Sequence, residues 1–139
     1  PTIMALAETG ITDVTVVARD AGRAAPVLEL CERLGMNGDV VPFEPAEALA
    51  RRCRESAVVV STVPADAAAV LTPAVARARK VVDVIYDPWP TPLASAVDAA
   101  GGTVVGGLVM LVNQAFRQVE QFTGLPAPRD VMVAALTAD

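Results

Sequence analysis

Residues 81–85, VVDVI, constrain the fold of this chain more than any other segment. The run is short, almost wholly apolar and bounded by the turn-forming Asp87, Pro88, Pro90 and Pro92, so it is expected to be a strand buried on both faces. Strands of that kind belong to parallel sheets covered by helices, and the rest of the chain supplies both elements. Strand-like runs at 12–18, 40–43, 57–60 and 103–105 alternate with helical patterns at 1–9, 24–34, 45–54, 66–79, 92–99, 107–122 and 129–137. Pro73 either breaks the alanine-rich 66–79 stretch or starts a second helix within it. This regular alternation predicts a doubly wound α/β domain with a parallel sheet. Tyr86 then falls at the carboxyl end of the 81–85 strand, on the side where open parallel sheets bind their ligands. In the 107–122 helix, Leu108, Leu111, Val112, Ala115, Val119 and Phe122 follow helical spacing and are expected to form one buried stripe. Met110 and Gln114, four residues apart, fall on a neighbouring face.

With 139 residues, the chain is long enough for one domain, and 53% hydrophobic content with only 4% aromatic predicts a core of Ala, Val and Leu. No apolar run reaches the length of a membrane span and no signal-peptide pattern marks the start, so a soluble, cytoplasmic protein is expected. Cys31 and Cys53 are spaced neither as zinc ligands nor as a redox pair, and each lies in a helical pattern, which predicts buried free thiols. The sequence contains no histidine. Ser-His-Asp, Cys-His and His-ligated metal chemistry are therefore excluded within it, and no metal site is expected. The formal charge of −5 argues against a general nucleic-acid surface, although a local pair of arginines still suits a phosphate.

From residue 83 onwards the residues follow a specific order. D-x-x-Y-x-P stands at 83–88, T-P-L at 91–93, a glycine pair at 106–107 and G-L-x-M-L-x-x-Q-A at 107–115, continuing to Phe122, Thr123 and Gly124. This order resembles the carboxyl-terminal half of shikimate dehydrogenases. The resemblance extends over nearly all of the chain, with mycobacterial members most similar, notably over IYDPWPTPLA and QAFRQVEQFTGLPAPR. It implies a Rossmann-like NADP-binding domain over 1–124, and over 125–139 a carboxyl-terminal helix that packs toward an amino-terminal substrate domain. The activity it implies is reduction of 3-dehydroshikimate to shikimate with NADPH, in aromatic amino-acid (chorismate) biosynthesis.

One element of that fold is missing. A dinucleotide-binding domain opens with a strand and a glycine-rich turn that delivers the pyrophosphate to a helix amino terminus. The family carries a G-x-G-G-[TA]-A run just upstream of the position of Pro1, and this sequence contains none. In the usual strand order 3-2-1-4-5-6, the absent strand lies between those at 12–18 and 57–60. Leaving a central strand's backbone partners unpaired would cost as much as a domain's whole net stability, about 5 to 15 kcal/mol. The chain is therefore expected to be part of something larger, or to take that strand from another segment, and to be inactive alone.

Arg19 ends the second strand and Arg23 opens the following helix, where a Rossmann domain reads the adenosine ribose. Arginine there accommodates the 2′-phosphate of NADP, whereas a carboxylate receives the 2′-hydroxyl of NAD. The family's N-R-T-x-x-R clamp maps onto residues 18–23 with Arg19 and Arg23 retained, which implies cofactor contacts from Ala18, Arg19, Asp20 and Arg23. Asp20 replaces an uncharged residue of that pattern and opposes the phosphate. Ser61 and Thr62, before Pro64, match the family's N-x-T-P, beside the cofactor's ribose and nicotinamide. A plain turn is the alternative. Val84, Gly107 and Met110 match cofactor-contacting positions, and glycine at 107 permits close approach to a flat ring. Tyr86 and Gln114 match shikimate-binding positions, through a phenol hydroxyl and an amide suited to hydroxyl and carboxylate groups. Their alternatives are a core aromatic and an exposed helix residue. Asp83 reads as a buried carboxylate satisfied by neighbouring amides rather than as a catalytic group, and Trp89 is expected beneath the proline loop.

The family handles the substrate proton with a Lys and Asp pair on its other domain. Lys80, the only lysine here, begins a strand at its amino end, so no catalytic residue is assigned within the chain. The expected ligands are NADP and shikimate or 3-dehydroshikimate. The expected partner is the missing amino-terminal domain or a companion segment, and a homodimer is compatible with the reading. Two alternatives stand beside this one, a non-catalytic nucleotide-binding or association module and a quinate-preferring relative.

Overall fold

The structure, a computed structural model, describes residues 2–136. They form two compact units, the first ending at Glu44 and the second beginning at Pro45, which carry separate parallel sheets. The first unit contains α1 (Thr2–Glu8), β1 (Asp13–Ala18), α2 (Ala21–Arg33) and β2 (Asn37–Pro42). Gly10 and Gly35, at φ of 82° and 71°, end the two helices in a backbone conformation that side chains disfavour. β1 and β2 are parallel, in a register running from Asp13↔Asn37 to Ala18↔Pro42. Both α2 and β2 begin three residues before the sequence pattern suggests. The Asp20 carboxylate caps α2 by accepting the Gly22 N–H at 2.8 Å, which extends the helix back to Ala21. Asn37 donates to the Asp13 carboxylate at 3.0 Å and its N–H reaches the Thr12 carbonyl at 2.7 Å, drawing polar residues into the ladder. Hydrogen bonds from the Thr12 hydroxyl, then from Asn37, hold the Asp13 carboxyl below its ordinary pKa.

The second unit has the parallel order β3 (Val59–Ser61), β4 (Lys80–Asp83), β5 (Thr103–Gly106). Among the described residues β1 bonds only to β2, and β3 only to β4. α3 (Glu47–Glu55) precedes β3. The alanine-rich stretch after β3 is not one helix. It divides into α4 (Ala65–Ala68), a 3-10 turn (Ala69–Leu71) and α5 (Thr72–Val75), with Pro73 in the first turn of α5, where its missing N–H is not needed. α6 (Pro92–Ala99), α7 (Gly107–Thr123) and α8 (Arg129–Leu136) complete the unit. The core is mostly Ala, Val and Leu, joined by Met36 and Phe116, with the free thiols Cys31 and Cys53 buried, each in its own unit, and burial pushes the Cys53 thiol upward in pKa. No helix among the described residues is long and apolar enough to cross a membrane.

The stripe expected along α7 is not buried as a whole. Leu108 is 42% and Phe122 85% exposed, whereas Phe116, outside that stripe, is 7% exposed. Arg129, at the start of α8, sits over the Phe116 ring at 5.1 Å and pairs with Glu120 at 3.4 Å.

The carboxyl end of this sheet is organised by Asp83, which is 1% exposed. Its carboxyl accepts the Ile85 N–H at 3.3 Å and the Thr91 hydroxyl at 2.7 Å, and Thr91 in turn caps α6 by accepting the Ala94 N–H at 3.0 Å. β5 passes into α7 with no intervening loop. The Gly107 N–H donates to the Ile85 carbonyl at 3.0 Å, and a Cβ at 107 would run into the Val84 carbonyl. Thr91→Val removes both the donor to Asp83 and the cap, so it should lower stability by about 2 to 4 kcal/mol. Urea denaturation measures this, Thr91→Ser should recover most of it, and an unchanged Thr91→Val midpoint would contradict the assignment. Gly107→Ala should cost about 1 to 3 kcal/mol through the same junction, seen as a lower thermal midpoint.

Candidate functional site

In the first unit the candidate residues form one turn between β1 and α2. Ala18 is the last residue of β1, Arg19 and Asp20 follow it, and Arg23 lies in the first turn of α2. Arg19, Asp20 and Arg23 are all exposed. Among the described residues, no carboxylate lies within salt-bridge distance of either arginine. Asp20 is not free in the same sense, since one of its oxygens accepts the Gly22 N–H and so occupies a donor at the helix terminus. The sequence pattern does not place Phe43 in this group. Arg19 lies over its ring, 5.1 Å from the centroid. The signal was present in the strand register, because Phe43 follows Pro42 as Arg19 follows Ala18.

In the second unit three of the expected residues are tied together at the carboxyl ends of the strands. Ser61 closes β3 and its carbonyl accepts the Val84 N–H at 3.1 Å, while the Val84 carbonyl abuts Gly107 at the start of α7. Ser61 is buried and its Oγ has no hydrogen-bond partner. A buried hydroxyl in that state is costly unless something supplies a partner, which suits a polar ligand group. Thr62 is exposed beside it.

β4 ends at Asp83, so Tyr86 stands three residues beyond the strand, in the loop that follows, rather than at its last position. Its side chain belongs to no core, being 56% exposed. That removes the core-aromatic alternative and leaves the phenol hydroxyl available. The same loop carries Trp89, which packs across Gly106; a Cβ on Gly106 would approach the indole to 2.9 Å. Met110 and Gln114 lie on one face of α7 with Asn113, Arg117 and Gln118, around an open depression of about 480 Å³. Gln114 is exposed there, and Tyr86 does not line that depression. Glycine at 107 has an internal reason that the sequence did not reveal, the contact with Val84, whatever approaches it from outside.

Residues 107–137 match the family described as the Shikimate 5'-dehydrogenase C-terminal domain. The shikimate dehydrogenase (NADP(+)) of Rhizobium etli is 35% identical over 142 residues, covering 98% of this chain and 46% of that protein. Among solved structures, the shikimate dehydrogenase of Mycobacterium tuberculosis is 50% identical with a TM-score of 0.92, covering 99% of this chain and 52% of that one. The shikimate 5-dehydrogenase of Mycobacterium fortuitum is 53% identical with a TM-score of 0.90, covering 96% and 50%. The chain spans about half the length of the relatives it matches. Similarity in sequence along nearly the whole chain, with an α/β architecture of parallel sheets that matches theirs, places it in the shikimate dehydrogenase family, as a counterpart of the family's Rossmann-like carboxyl-terminal domain.

Proposed function

We propose that this chain is the NADP-binding part of a shikimate dehydrogenase, which reduces 3-dehydroshikimate to shikimate. The observation that carries this reading is the pair of exposed arginines, Arg19 and Arg23, flanking the start of α2 with no carboxylate partner among the described residues. Guanidinium groups present a planar set of donors that suits phosphate oxygens, so Arg19 and Arg23 hold the 2′-phosphate. Asp20 works against that phosphate and lowers the preference for NADP over NAD. In the second unit the unpartnered Ser61 hydroxyl and the neighbouring Thr62 supply polar contacts to the ribose, and Val84, Gly107 and Met110 flank the nicotinamide. Tyr86 and Gln114 hold the substrate's hydroxyl and carboxylate groups. The bound cofactor contributes the hydride. No residue of this chain is assigned to the proton: Lys80 sits at the amino end of β4, opposite to the end where Tyr86 lies. We therefore expect no turnover from the chain alone. Val133 and Leu136, exposed and three residues apart on α8, offer an apolar surface on which a second domain would pack.

Arg19→Ala should weaken NADP binding far more than NAD binding. Each charge-assisted hydrogen bond lost is worth about 1.5 to 3 kcal/mol, or roughly tenfold to a hundredfold in affinity. Parallel titrations with the two dinucleotides measure the difference, and equal losses would remove the phosphate-clamp role. In an active enzyme containing this sequence, Gln114→Ala should raise the KM for shikimate and leave that for NADP nearly unchanged, at a cost of about 1 to 3 kcal/mol. Steady-state kinetics with an unaltered shikimate KM would refute the substrate contact.

A further inference from the structure

We propose that Phe43 is a positioning residue for the nucleotide's 2′-phosphate: its ring holds the Arg19 guanidinium in place, and so contributes to the preference for a 2′-phosphorylated nucleotide. This inference rests on Arg19 being the phosphate clamp. The contact is created by strand pairing. Ala18 and Pro42 are register partners at the ends of β1 and β2, and the Phe43 N–H donates to the Ala18 carbonyl at 3.1 Å, which carries the pairing one step further. Arg19 and Phe43 are the next residues after the two strands. Adjacent strands lie about 4.8 Å apart, and the guanidinium carbon sits 5.1 Å from the ring centroid.

The two partners are unequal. Phe43 is half-buried and Arg19 is exposed, so the ring is the fixed member and the arginine the one being held. An arginine over an aromatic face is attracted through its charge, while its N–H donors lie in the guanidinium plane and stay available to oxygen atoms. No carboxylate among the described residues competes for them. A long side chain restrained before the ligand arrives loses less rotamer freedom on binding, which strengthens the complex without adding a contact to the ligand.

The test uses the full chain, titrated calorimetrically with adenosine 2′,5′-bisphosphate and with 5′-AMP, which differ only in the 2′-phosphate. Phe43→Leu should weaken the bisphosphate about three- to fivefold, as expected for loss of an exposed cation–π contact, and leave 5′-AMP unchanged. Phe43→Tyr should bind both as the parent chain does. In an Arg19→Ala background, Phe43→Leu should have no further effect on the ratio of the two affinities, a result that a purely structural role would not produce. Circular dichroism on each variant confirms the fold, and Phe43→Tyr keeps the test decisive if Phe43→Leu unfolds: a Phe43→Tyr chain that loses selectivity overturns the proposal. Equal weakening of both ligands by Phe43→Leu, or no change in either, also overturns it. If Arg19→Ala abolishes discrimination and Phe43→Leu leaves the ratio of the two affinities at the parent value, the clamp stands and only this inference falls. If Arg19→Ala leaves discrimination intact, the clamp itself is wrong and the proposal falls with it.

Discussion

The buried carboxyl of Asp83 is the group around which the second unit is arranged. A carboxyl at 1% exposure is tolerable only with hydrogen-bond partners, and its two oxygens find them in the Ile85 N–H and the Thr91 hydroxyl. The first contact turns the chain immediately after β4. The second reaches eight residues ahead and, through the Ala94 N–H, fixes where α6 begins. The loop between them carries Tyr86 and Trp89, so both emerge from a segment pinned at each end. Ile85, held by Asp83, then accepts the Gly107 N–H, which ties the start of α7 to the same point.

Close backbone packing at that junction accounts for the glycine pair. Gly107 lies against the Val84 carbonyl and has no room for a side chain, while Gly106 lies under the Trp89 indole, which would have to shift to admit one. With no loop between β5 and α7, the direction of α7 is set by the strand itself. The face bearing Met110 and Gln114 is consequently placed by backbone contacts two elements away. This is how a short three-stranded sheet with a core of small side chains can present polar groups in defined positions.

The first unit solves a different problem, presenting cationic groups on an exposed turn. Asp20 makes the helix start early and keeps its carboxylate on the backbone, while Phe43 gives Arg19 a surface to lie on. These two neighbours, one acidic and one aromatic, act in opposite senses on an anion at this turn. Asp20 adds negative charge and occupies a backbone donor; Phe43 restrains the guanidinium without neutralising it.

Periodicity and punctuation in the sequence determined the α/β class, the order of the strands and most helix ends, because Gly10, Gly35, Gly124 and the prolines at 88, 90 and 92 act locally. Its motifs also named Tyr86, Gln114 and the two arginines. Asp83 was legible as a buried group because a carboxylate flanked by apolar residues on a covered strand is carried inside with them. What the sequence did not contain were the consequences of pairing between distant segments. The early start of β2 depends on Asn37 meeting Asp13, the cap of α6 on Thr91 meeting Asp83, and the place of Phe43 on its register with Arg19. The exposed stripe of α7 has the same origin: helical spacing shows that Leu108 and Phe122 share a face with Leu111, but which residues are covered depends on contacts such as that of Arg129 with Phe116. Periodicity reports how side chains are distributed around one element, whereas burial is a property of what that element meets.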